Sequence, residues 1–176
     1  MGFSYTDDLN AVNFKLSEEE HMRLQGRIDR IDTYEDKDKL YVKIIDYKSG
    51  NTGFELLSLY HGLKLQLVVY LDAAMELEQK KHPGKQVEPA GVFYYHIDDP
   101  MVEGTGSESE EEIRRKILEN LRLDGVVNTE DDIYRAMDVE LSGKSNVLPI
   151  SVNKDGTVRK SDKAVDKEEF RLIADY

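Results

Sequence analysis

The sequence contains no cysteine. A disulfide framework, a thiolate zinc site, an iron–sulfur cluster and a cysteine nucleophile are therefore excluded within this chain. No apolar run approaches the roughly 18–20 residues that span a bilayer. Residues 1–20 lack the basic start and apolar stretch of a signal peptide. No Gly-rich loop ends in Lys-Ser or Lys-Thr, so a nucleotide triphosphate cradle is not expected. There are no repeats, and no Pro-rich or Gly/Ser-rich linker divides the chain. The 176 residues are expected to form a single domain over 1–176, since domains cluster near ~100–150 residues.

What is present is 39% hydrophobic and 34% charged, enough apolar material for a core under a highly charged surface. Residues 11–16 alternate weakly, and an opening strand is expected there. Residues 22–33 alternate better through Met22, Leu24, Ile28 and Ile31, with Gly26 suggesting a bulge. After a charged turn at Tyr34–Lys39, residues 40–48 are β-branched and aromatic, a second strand that completes an antiparallel hairpin. Residues 54–80 change to helical period: Leu56, Leu59, Tyr60, Leu63, Leu67, Tyr70, Leu71 and Ala74 build one apolar stripe. Lys80, Lys81, Pro83 and Gly84 stop it.

Residues 87–97 predict a third strand, with Pro89 near its start, where a missing donor is tolerated. Ser107 and Ser109, each three residues before a Glu, predict the start of a helix running to about Leu121. The acidic run Glu108–Glu112 then reads as helix-start electrostatics. A short helix is expected over 129–141, a hairpin with an Asp155-Gly156 turn over 147–159, and a helix over 166–175. Strands followed by flanking helices give an α+β (mixed α/β) class around a small mixed sheet.

Three places carry chemistry. Asp46 and Lys48 are two apart on one strand, so both leave the same face. Asp29 sits on the neighbouring strand. If the turn pairs residue 33 with 40, Asp29 lies opposite Ile44 and diagonal to Asp46, on that face. A one-residue shift would separate them. Two close carboxylates repel, and a hard divalent cation relieves the repulsion. Magnesium is typically held by one or two carboxylates with substrate phosphate completing its shell. The backbone carbonyl of Tyr47 would be a natural further ligand. Taken alone, Asp-x-Lys is a common surface pair. Here Asp46 ends the run Val42, Ile44, Ile45, where a charge needs a partner or a task. Gln66 and Tyr70 are one helical turn apart and neighbour each other; a core tyrosine beside a solvated glutamine is the simpler account of that pair.

Together, Gly26-Arg27-Ile28-Asp29, Ile45-Asp46-Tyr47-Lys48-Ser49-Gly50, Gln66 with Tyr70, and Gly91-Val92-Phe93-Tyr94-Tyr95-His96-Ile97 resemble the RecB-type branch of the PD-(D/E)xK nucleases. The wording is most similar to the nuclease domain of the AddB-type chains of bacterial AddAB (RexAB) helicase–nucleases. The resemblance is strongest over residues 23–102.

It implies a restriction-endonuclease-like core. Asp29 and Asp46 would be metal-binding acids, Lys48 the catalytic lysine, and Gln66 and Tyr70 residues that support the site or contact DNA. It further implies Mg2+ (or Mn2+) as cofactor and a single DNA strand delivered by a helicase as substrate. The setting implied is double-strand-break processing in the bacterial cytoplasm, with an AddA-type helicase–nuclease chain as partner. Two departures stand beside it. The family's upstream helix with a His or Glu ligand has no counterpart before Gly26, since His21 lies too close to the strand. The 4Fe-4S cysteines of AddB-type chains are absent, so such a cluster is expected only in a larger parent of which this chain is an excised piece. The net charge of −12 requires any DNA attraction to be local or supplied by a bigger assembly. A catalytically inactive nucleic-acid-binding or assembly module of the same fold remains open.

Overall fold

The structure is a computed structural model and describes residues 4–6, 12–15, 21–24, 28–49, 53–54, 65–97 and 107–174. Among the described residues, eight strands form two sheets. Strands β1 (Ser4–Thr6), β4 (Arg30–Asp36), β5 (Lys39–Lys48), β6 (Gln86–His96), β7 (Asp124–Asn128) and β8 (Ala164–Val165) make a six-stranded sheet in the order β1-β4-β5-β6-β7-β8. Strands β2 (Val12–Lys15) and β3 (His21–Leu24) form a separate antiparallel pair. The β5–β6 and β7–β8 pairs are parallel and the others antiparallel, so the sheet is mixed as expected.

The hairpin expected over 22–33 and 40–48 is present with two changes. The first segment is not one strand: β3 pairs with β2, and β4 starts at Arg30 and pairs with β5. Gly26 lies outside the described residues. The turn is also tighter than expected. Tyr34, Glu35 and Asp36 continue β4, and Asp36 pairs with Lys39 across Lys37-Asp38, with Lys37 at φ 44 in the left-handed region. The register therefore matches Arg30 with Ile45 rather than 33 with 40. The shift is two residues, an even number, so every side chain keeps its expected face.

Helix α1 (Leu65–Lys81) crosses from β5 to β6 and buries Leu67, Val68, Tyr70, Leu71 and Ala74. These pack on Ile31, Val42, Ile44 and Val92, forming the larger core on one face of the sheet. The earlier part of the expected helix, residues 55–64, lies outside the described residues. Phe54 is not helical: it is extended, and its N–H donates to Asp124 at 2.7 Å. Helix α2 (Glu110–Asn120) starts on the capping box of Ser109 and Glu112, with Glu110, Glu111 and Glu112 in its first turn. Helix α3 (Ile133–Met137) follows a single 3-10 turn at Glu130–Asp132, which is how the expected 129–141 helix is realised.

Helix α4 (Lys167–Ala174) returns to the α1 face, where Phe170 is buried. The opposite face carries a second core of Ile45, Phe93, Val127, Tyr134, Leu148 and Ile150. The 147–159 segment forms isolated bridges rather than a hairpin of strands, around the turn in which Gly156 N–H donates to Asn153. β7 and β8 were not expected from the sequence.

Pro89 does not sit at a strand start. It lies well inside β6, a central strand, opposite Val42. The register slips between Val42 and Lys43 so that Ala90 is extra, and the bulge is what accommodates a residue with no N–H to donate. The Pro89 carbonyl accepts from Asn128 Nδ2 at 2.7 Å. Gly125 allows a close approach: a Cβ there would stand 2.0 Å from the Val92 carbonyl oxygen.

Candidate active site

The hairpin register decides the site. With Arg30 opposite Ile45, the residue before it, Asp29, lies across from Asp46. The side chain of Asp29 turns to the partner strand, and its Oδ2 accepts the Tyr47 backbone N–H at 2.9 Å. The expected diagonal placement is thereby replaced by a closer, direct one. Asp46 is buried, and its Oδ2 lies 2.5 Å from Lys48 Nζ. That contact is close but poorly directed, and the same oxygen makes no proper hydrogen bond among the described residues. An ionised oxygen shut away from water with one imperfect partner is costly unless another cation completes its surroundings.

The Lys48 ammonium is held above the ordinary lysine value. The ion pair with Asp46 is the main cause, partial burial opposes it, and the charge of Asp29 adds to it. The amine is therefore a fixed cation at neutral pH and not a base. It also stands 5.0 Å from the centre of the Tyr94 ring. Burial pushes the Tyr94 phenol up, and nearby Lys48 partly offsets this.

Tyr94 and His96 were not picked out from the sequence. They pair in register with Asp46 and Lys48 across the parallel β5–β6 ladder and so share their face. Asp124 pairs with Tyr94 in turn. The row Asp29, Asp46, Tyr94, Asp124 thus crosses four strands at one end of the sheet. Asp124 is committed to the Phe54 N–H at 2.7 Å and Lys163 Nζ at 3.1 Å. What could have revealed the row is the pairing of Tyr94 with both neighbours, which is tertiary and leaves no local pattern.

Gln66 and Tyr70 occupy the first turns of α1, and Gln66 Nε2 donates to the Tyr70 hydroxyl at 2.9 Å. Tyr70 is buried in the core that also contains Tyr94, while Gln66 is exposed. The two therefore lie on the Asp46 side of the sheet. Tyr47, between the two charged residues, sends its ring to the opposite face, where it meets Tyr95 edge-on at 6.0 Å. Asp32, for which the sequence offered no partner, is 1% exposed and holds two cations on that opposite face. Arg30 Nε lies at 2.7 Å and Lys43 Nζ at 3.0 Å. His61, Asp98 and Asp99 lie outside the described residues.

Two carboxylates facing each other, with one buried oxygen lacking a hydrogen bond, suit a hard divalent cation. Asp29 and Asp46 are the residues that could hold it. Among the described residues, no group of three His, Cys, Asp or Glu side chains gathers to complete a shell. Water and substrate phosphate commonly supply the remainder for magnesium. No described helix is long and apolar enough to cross a membrane.

Residues 3–167 match the profile of the PD-(D/E)XK nuclease superfamily. The chain is also similar to curated proteins named as the B chain of an ATP-dependent helicase/deoxyribonuclease. That of Thermoanaerobacter sp. (strain X514) is 44% identical over 162 residues, 92% of this chain and 14% of the relative. That of Lachnoclostridium phytofermentans is 45% identical over 165 residues, 89% of this chain and 14% of the relative. That of Clostridium tetani is 40% identical across 100% of this chain and 15% of its own length. The chain thus spans only 14–15% of the relatives it matches.

Proposed function

Because the chain belongs to the PD-(D/E)XK nuclease superfamily, we propose that it is a metal-dependent DNA exonuclease domain, the cutting part of a helicase–nuclease complex. The observation that carries this reading is the direct opposition of Asp29 and Asp46 beside the Lys48 cation. Asp29 and Asp46 would hold Mg2+ or Mn2+. In an extended strand the N–H and C=O of one residue leave along the same edge. The Tyr47 carbonyl therefore turns towards the side on which its N–H meets Asp29, where it can serve as a third oxygen. When bound, the cation would supply Lewis-acid neutralisation of charge on the phosphate oxygens.

The protein's own part is positioning and charge. Lys48, kept protonated by Asp46, donates to the phosphate as negative charge grows during attack by water. Water supplies the oxygen that bonds to phosphorus, the bridging P–O bond breaks, and the departing sugar oxygen takes a proton. Tyr70 and Gln66 brace the helix wall beside the site through their mutual hydrogen bond. The names of the relatives support a DNA substrate, and a helicase partner chain that delivers single strands during double-strand-break processing in the bacterial cytoplasm. An iron–sulfur cluster would need cysteines from outside this chain. Residues 1–176 are proposed to act as one nuclease unit.

One observation favours a second reading, a non-catalytic nucleic-acid-binding module: no third metal-ligating side chain joins the two aspartates among the described residues. Calorimetry with Mn2+ separates the two. The nuclease reading expects millimolar or tighter binding that Asp29→Ala removes, together with DNA cutting that Lys48→Ala abolishes. Absence of metal binding, or cutting unchanged in Lys48→Ala, would refute it.

A further inference from the structure

The far face of the sheet end carries a second cleft of about 490 Å3. Its floor is Tyr47 and Tyr95, its cations are Arg30 and Lys43, and Leu118 and Leu121 from α2 and its C-terminal end form the opposite wall. Among the described residues, no carboxylate lines it. In a chain of net charge −12, a cleft with two cations and no lining acid is a local reversal of sign. The cations are built in. Lys43 is nearly buried and both it and Arg30 are gripped by Asp32, leaving one surplus positive charge. Tyr47 remains 38% exposed, with its ring edge-on to Tyr95, so a flat π-face is open beside fixed positive charge.

The placement of this cleft is what gives it meaning. Tyr47 is the residue between Asp46 and Lys48, and Tyr95 lies between Tyr94 and His96. The cleft and the proposed cutting site are therefore the two faces of one sheet end, separated by the thickness of the strands. Arg122, between the cleft residues Leu121 and Leu123, lines an adjoining cleft of about 360 Å3 with Lys144 and Arg159, again with no carboxylate among the described lining residues. Positive charge thus continues beyond the aromatic floor.

We propose that this cleft is a single-strand DNA tract: a base stacks on Tyr47 and Tyr95 while neighbouring phosphates rest on Arg30 and Lys43, and the strand rounds the end of β5 to the cutting site. A single strand fits the chemistry because its bases are free to stack, and stacking on tyrosine is tolerant of sequence. A duplex keeps its bases paired inside and offers no face to the rings. The proposal rests on the nuclease reading for its direction, but the binding it predicts does not need cutting.

The test uses the full chain with EDTA present and a fluorescein-labelled oligo-dT probe, so that affinity is read without hydrolysis. Tyr47→Ala and Tyr95→Ala are each expected to weaken binding about tenfold, and Tyr47→Phe to retain it. Neither alanine variant should alter affinity for an abasic oligonucleotide of the same length. Arg30→Gln should weaken both probes and lower the slope of log affinity against log salt by about one. Oligo-dT, and not the abasic probe, should shield Tyr47 from nitration by tetranitromethane.

Unchanged oligo-dT affinity in both tyrosine variants overturns the proposal. So does equal weakening of the normal and abasic probes by the alanine variants. Tyr47 already shielded without DNA would mean that a protein segment occupies the cleft, which also overturns it. Failure of the nuclease reading shows separately, as DNA cutting that survives Asp46→Asn.

Discussion

Two buried aspartates on adjacent strands face opposite sides of the same sheet, and each has an oxygen without a hydrogen-bond partner among the described residues. Asp32 is held by Arg30 and Lys43, so its cluster ends one positive charge in surplus. Asp46 pairs with Lys48 and faces a second acid, Asp29, so its cluster ends one negative charge in surplus. Two similar carboxylates therefore serve opposite ends. The first anchors cations and leaves a surface that attracts anions. The second leaves a surface that attracts a cation. Burial alone does not mark a functional acid; the charge balance of its neighbours does.

The sharpest way to break the comparison is through activity. Asp46→Asn is expected to lower DNA cutting by about a thousandfold, with folding stability level or raised because its repulsion with Asp29 is relieved. A nuclease assay beside a urea melt reads both. Asp32→Ala should do the reverse in stability. It strands Lys43 in the interior, and a broken buried pair costs about 3–5 kcal/mol. If chemical denaturation gives the two aspartates the same cost, the contrast is wrong.

The lysines sharpen it further. Lys43 and Lys48 lie on one strand, yet burial pushes Lys43 below the ordinary 10.5, while the Asp46 ion pair lifts Lys48 above it. Lysine-resolved NMR titration should place them on opposite sides of that value. The linkage signs follow. Lys48 contributes stability that is complete below 10.5 and fades as pH climbs through its raised native value. Lys43 penalises the folded state at every pH below its lowered value, and the penalty vanishes as pH rises towards 10.5. The smallest expected effect is a control remote from both clusters: Ser109→Ala should cost about 1 kcal/mol, read by thermal melting, through loss of the α2 cap.

The parts legible in the sequence were those with local causes. The β5 run of branched and aromatic residues, the α1 stripe from Leu67 to Ala74 and the Ser109–Glu112 cap all follow from periodicity or capping chemistry. The shared face of Asp29, Asp46 and Lys48 was legible only up to register, and an even shift left it intact. Tyr94, His96 and the Asp32 cluster were not legible, because each depends on which residue lies across a strand pair. Pro89 misled for the same reason: the rule confining proline to strand edges holds except at a bulge, and the bulge at Ala90 exists only once β6 pairs with β5.

Helix α2 buries none of its residues. Eleven residues are too few to hold helical form firmly without packing, so its amides should exchange with deuterated solvent long before those of β5 and β6. One wall of the far-face cleft would then open and close on its own clock while the sheet stays shut.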